Sequence, residues 1–114
     1  MKKKYIAFLL SILVIACGGN NQSVVYDENV PIDSEKLYRN HCSICHGDDG
    51  ALGFSGAKDL SKTLFSMDEI VGVIKYGSKN GKMRAFGKDA GGELNNKEIK
   101  AIAEYVKGFK KENE

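Results

Sequence analysis

Two thiols and an imidazole fall within one pentapeptide, Cys42-Ser43-Ile44-Cys45-His46. Side chains three apart share one face of a helix, so both sulfurs can reach two vinyl groups along one edge of a porphyrin. The imidazole that comes next can turn onto a porphyrin iron. C-x-x-C-H is the spacing that attaches haem c covalently. Three other chemistries use similar residues. A dithiol redox pair of the thioredoxin kind wants a strand before it and a sheet around it, and neither is evident in this sequence. A zinc site needs four ligands in tetrahedral reach; His41, Cys42, Cys45 and His46 are four candidates, but they crowd about one and a half helical turns. A cysteine nucleophile with a histidine base leaves the second cysteine without a role.

An iron held by His46 has a sixth position to fill. The chain has two histidines. The other, His41, lies on the same helix as the attaching cysteines and has no easy route to the far face of the haem, so it reads as packing or surface. Met67 begins a capped helix and is explained by it. Met83 lies in a glycine-rich loop after His46. A lone methionine is usually core filler, but this loop has no periodic apolar face to claim it, so Met83 is the expected sixth ligand. His/Met ligation raises the reduction potential relative to bis-histidine ligation and leaves no open position for a substrate. The expectation is an electron carrier, not an enzyme that binds a small molecule at iron.

Three helices must position these groups. The first is expected over 34–46, with Asp33 as N-cap and Ile32 and Leu37 as a hydrophobic staple. The second is expected over 67–76, opened by a Ser66–Glu69 capping box and ended by Gly77. The third is expected over 96–107, with Asn95 and Glu98 at its start, Ile99, Ile102, Ala103 and Val106 on one face, and Gly108 at its end. Little alternates with period two, so no sheet is expected. Two glycine-rich stretches, 47–56 and 77–92, lie between the helices. Long loops in so small a domain call for something to wrap, and a haem would also supply interior that a short chain lacks.

Residues 1–16 read as an export signal: Lys2, Lys3 and Lys4 precede an apolar run too short to span a membrane. The run ends Val14-Ile15-Ala16-Cys17-Gly18, which resembles a bacterial lipoprotein signal with Cys17 as the lipidated residue. The three cysteines are then all used: two by haem, one by lipid. Residues 17–31 become a lipidated N-terminus and polar tether whose span is roughly 20 Å. The folded domain is expected over 32–110, with a polar tail at 111–114. Of 17 basic side chains, three leave with the signal, which leaves 14 against 15 acidic ones; that balance gives no electrostatic case for nucleic acid. Export places the protein on the periplasmic or outer side of a membrane. Gly18, in place of an acidic residue after Cys17, allows an outer membrane.

Together these segments resemble a class I c-type cytochrome of the short, one-haem bacterial lipoprotein kind, over about residues 33–108. The resemblance rests on Leu37-Tyr38, Cys42 to Gly50, Gly81-Lys82-Met83 with Ala85-Phe86, and Glu98 to Val106. It implies an all-α fold in which the first and last helices cross around one haem, with Tyr38 facing Ile102 and Tyr105 and with Met83 as axial ligand. Two departures stand out. Arg84 comes after the methionine where many relatives have proline, which predicts a less rigid loop. Residues 56–60 also lack the proline whose carbonyl takes the axial histidine's proton, so a carbonyl in 56–59 is expected to do so. Lys75, Lys79, Lys82, Arg84 and Lys88 crowd the Met83 loop and form a candidate docking face for an acidic redox partner. The expected function is a membrane-tethered shuttle of single electrons between respiratory partners. The alternatives are a haem-based gas sensor with a labile Met83 ligand and a donor subunit of a larger redox complex.

Overall fold

The computed structural model describes residues 29–112. The expected export signal, Cys17 and nearly all of the tether lie outside the described residues. Among the described residues four α-helices come in order: α1 Ser34–His41, α2 Ser43–His46, α3 Met67–Tyr76 and α4 Asn96–Glu112, with 3₁₀ turns at Phe54–Gly56, Leu60–Lys62 and Lys88–Ala90. There is no strand among the described residues, only an isolated bridge between Gly87 and Leu94. The fold is all-α, as expected.

Local chemistry explains the helix starts. Asp33 accepts from the Lys36 N–H at 2.9 Å and opens α1. Ser66 and Glu69 form a reciprocal capping box at α3: the Ser66 N–H donates to Glu69 Oε2 at 2.8 Å, and the Glu69 N–H donates to Ser66 Oγ at 3.3 Å. Asn95 and Glu98 repeat the device at α4, at 2.8 and 3.0 Å.

Two boundaries differ from expectation. The first helix is broken at Cys42, whose φ of −121° departs from helical values. Ser43 Oγ donates to the Arg39 carbonyl at 2.7 Å, and such a side-chain bond competes with the backbone ladder. The chain nevertheless holds its direction, because the Cys42 N–H donates to Tyr38 O at 2.8 Å and the His46 N–H to Cys42 O at 3.0 Å. The last helix does not end at Gly108; it continues to Glu112, into the expected polar tail. Phe109, 5% exposed, lies just past that glycine. Burying an aromatic side chain outweighs the roughly 1 kcal/mol that glycine costs inside a helix.

The core lies where α1 meets α4. Tyr38, Ile99, Ile102 and Ala103 are almost fully buried. The Tyr38 ring packs 5.2 Å from Tyr105 and 5.1 Å from Phe109, and Tyr105 and Phe109 are 5.2 Å apart. Residues 47–60 fold back on this aromatic cluster. Gly50 has φ +78°, and a Cβ there would come within 2.9 Å of the Phe109 ring. Its carbonyl accepts from the Leu60 N–H at 2.8 Å, which returns residues 58–60 to the cysteine–histidine segment.

Candidate functional site

His46 ends α2 and is 9% exposed. Its Nδ1 donates to the Lys58 carbonyl at 2.9 Å. A carbonyl only accepts, so Nδ1 carries the proton and Nε2 presents a lone pair. Lys58 falls within the expected range of 56–59. Its carbonyl is fixed without a proline. The Lys58 ammonium sits 4.5 Å from the Phe65 ring centroid, a cation–π contact, and the Phe65 carbonyl accepts from Lys107 Nζ of α4 at 3.0 Å. On the other side, Asp59 accepts from Ser61 N at 3.0 Å and Ser61 Oγ at 2.6 Å, and these bonds hold its carboxyl below the usual range.

The backbone beside the imidazole is pinned as well. Tyr38 donates its hydroxyl to the Gly47 carbonyl at 2.7 Å, and the Leu52 N–H donates to the His46 carbonyl at 2.9 Å. Cys42 is buried, Cys45 is partly exposed, and neither is in a disulfide. Burial, reinforced by neighbouring Cys45, pushes the Cys42 thiol up to about 12. A dithiol redox pair uses an attacking thiol with a lowered pKa, and burial shifts Cys42 the other way. The zinc arrangement fails on geometry: among the described residues no group of three His, Cys, Asp or Glu side chains converges as a metal site. His41 has its own neighbours, with Nδ1 3.2 Å from Glu93 Oε1 and its ring 6.1 Å from that of Phe86.

Met83 is partly buried at the core margin. Its loop is held at both ends. The Met83 N–H donates to Ser78 Oγ at 2.9 Å, and the Met83 carbonyl accepts from the Ser78 N–H at 3.0 Å. Further on, the Phe86 N–H donates to Ile74 O at 3.0 Å and the Gly87 N–H to Lys75 O at 3.1 Å. Gly77, at φ +83°, lets the loop close: a Cβ there would lie 2.6 Å from the Met83 carbonyl oxygen. Met67 is the first residue of α3 and packs against the same core.

The basic side chains around this loop divide. Lys75 pairs with Asp89 at 2.8 Å and is only 17% exposed, and Arg84 pairs with Glu93. Lys79, Lys82 and Lys88 are exposed. Close to His46 in the chain, Ile44, Leu52, Phe54 and Leu64 are also exposed, each by 60% or more. Two thiols, an imidazole with a single open nitrogen, a thioether and uncovered apolar side chains fit a covalently attached haem. Sequence reasoning missed Phe109 and the Lys58–Phe65–Lys107 support. Phe109 continues the apolar face at i+4 from Tyr105, a signal that the stop residue Gly108 masks.

A protein-family model described as "Cytochrome C oxidase, cbb3-type, subunit III" matches residues 31–106. No curated protein and no solved structure matches the chain.

Proposed function

Because the chain belongs to the family of c-type cytochrome domains described as cytochrome C oxidase, cbb3-type, subunit III, we propose that it carries a single haem c and shuttles single electrons. Membership makes it an electron-transfer haem protein that binds haem c. In the finer reading, Cys42 and Cys45 would hold the haem through their sulfurs, and His46 and Met83 would bind its iron.

The observation that carries this reading is the His46–Lys58 hydrogen bond. It sets the tautomer and ring orientation and makes Nε2 the better donor. The haem supplies a metal that changes oxidation state by one electron. The protein's part is to keep both axial side chains in place through that change. His46 is held through Lys58, Gly47 and Leu52, and Met83 through Ser78, Ile74 and Lys75. His46 and Met83 would hold the iron between them and would keep water and small molecules from it.

Optical spectra test the ligand set. The oxidised protein should show a methionine–iron charge-transfer band that disappears in Met83→Ala and persists in Met67→Ala. A band retained in Met83→Ala would overturn the assignment. Rapid carbon monoxide binding by the reduced wild type would favour the gas-sensor reading instead. The family's printed description gives weight to a second reading, a donor subunit of a larger redox complex. Co-purification with a membrane oxidase would distinguish it from a free shuttle.

Cytochrome c domains are typically exported proteins, and no helix among the described residues is long and apolar enough to cross a membrane. Lipid on Cys17 is the proposed anchor. Cys17→Ser should move the protein from the membrane fraction to the soluble exported fraction. For partner docking, the exposed Lys79 and Lys82 beside Met83 are the best candidates. Lys75 and Arg84 already face Asp89 and Glu93, which reduces their pull on an acidic partner.

A further inference from the structure

The backbone bonds that hold the Met83 loop tie it to itself and to α3. None of them reaches the segment that carries Cys42 and Cys45. The side chain after Met83 does. Arg84 lays its guanidinium 4.2 Å from the Phe86 ring centroid. Its Nη2 donates to Glu93 Oε1 at 2.9 Å and its Nη1 to Glu93 Oε2 at 3.4 Å. The same Oε1 lies 3.2 Å from Nδ1 of His41, the last residue of α1 and the neighbour of Cys42. Glu93 therefore stands between the two halves of the site, touching the residue beside Met83 on one side and the residue beside Cys42 on the other.

We propose that Arg84 and Glu93 are positioning residues for Met83, forming a clasp that keeps the methionine side of the haem site registered to the cysteine side. The proposal rests on the reading that Met83 is the axial ligand. Neither residue touches the iron. A forked guanidinium–carboxylate pair fixes orientation as well as distance, and stacking on the buried Phe86 restricts the arginine further. The clasp supplies from side chains a constraint that a loop without proline lacks in its backbone. It is more than half exposed at Arg84 and half exposed at Glu93, so its effect is modest and weakens with salt.

Competition for the iron reads the clasp out directly. Imidazole titrated into the oxidised, haem-loaded protein displaces methionine and bleaches the methionine–iron band. Glu93→Gln and Arg84→Lys, which loses the fork but keeps the charge, should bind imidazole roughly threefold more tightly than wild type at low salt. The difference should shrink at about 1 M salt, where screening falls to ~3 Å. The charge-reversed double variant, Arg84→Glu with Glu93→Arg, should not return to wild type, because it loses both the stacking on Phe86 and the carboxylate that faces His41. Glu35→Gln breaks the Glu35–Arg39 pair elsewhere on α1 and should behave as wild type. Unchanged imidazole affinity in both clasp variants, with the band intact, overturns the clasp alone. An equal change in Glu35→Gln does the same, because the effect would then be general loosening. A wild-type protein without the band, or a Met83→Ala variant that keeps it, overturns the ligand reading and the clasp with it.

Discussion

Lys58 does two jobs with different parts of itself. Its carbonyl orients His46 while its ammonium rests on Phe65, so the constraint that a proline ring would impose on the backbone comes from side-chain contacts. The family resemblance placed the acceptor within a few residues; choosing Lys58 required the fold, because four carbonyls share that stretch. Tyr38 shows a similar division. Its burial results from the apolar face of α1, but the hydroxyl bond to Gly47 is a tertiary fact. Desolvation by burial raises its phenol well above the ordinary range, so the hydroxyl stays protonated and donates at any physiological pH. Tyr38→Phe should cost about 1 kcal/mol or somewhat more, measured by denaturant unfolding. Phe109→Ala should cost about 3–5 kcal/mol, because that ring closes the contact between Tyr38, Tyr105 and Gly50. A loss near zero at Phe109 would mean that α4 gains nothing by running past Gly108.

At the scale of elements, caps decide where helices begin and glycines decide only some of their ends. Gly77 stops α3 with a positive φ and a contact that excludes a side chain, whereas Gly108 remains helical. The difference lies in the next part of the chain: Met83 must fold back across Gly77, while Phe109 must stay on the helix to reach the core. Gly77→Ala should therefore be destabilising by more than about 1 kcal/mol and should weaken the methionine–iron band more than stability loss alone explains. At the start of α3, Ser66→Ala should cost about 1 kcal/mol. Backbone hydrogen bonding from Ser66 lowers the Glu69 carboxyl from its ordinary value. A lowered folded-state value means that the charged cap stabilises above the unfolded carboxyl range, near pH 4.3, and is lost as pH falls through the folded value. The stability gap between wild type and Glu69→Gln should accordingly be full at neutral pH and close on acidification. A gap that widens toward low pH would contradict the capping-box account.

For the whole molecule, one aromatic cluster at the α1–α4 contact fastens the framework, and Ile44, Leu52, Phe54 and Leu64 are left exposed. If the proposed haem covers them, protein expressed without haem attachment should unfold at a lower temperature than the loaded protein, since whatever binds only the folded state stabilises it. Equal melting temperatures would argue that those residues face something else. The sequence by itself determined the all-α class, the helix caps and the pentapeptide proposed to receive the haem. Each of these depends on interactions within about four residues, which local spacing records. Tertiary structure alone decided that the first helix breaks at Cys42, that α4 runs on to Glu112, that Lys58 rather than a neighbour orients His46, and that Lys75 and Arg84 direct their charge to Asp89 and Glu93. Those outcomes join residues distant in the chain, and they turn on packing and pairing energies that no local pattern contains.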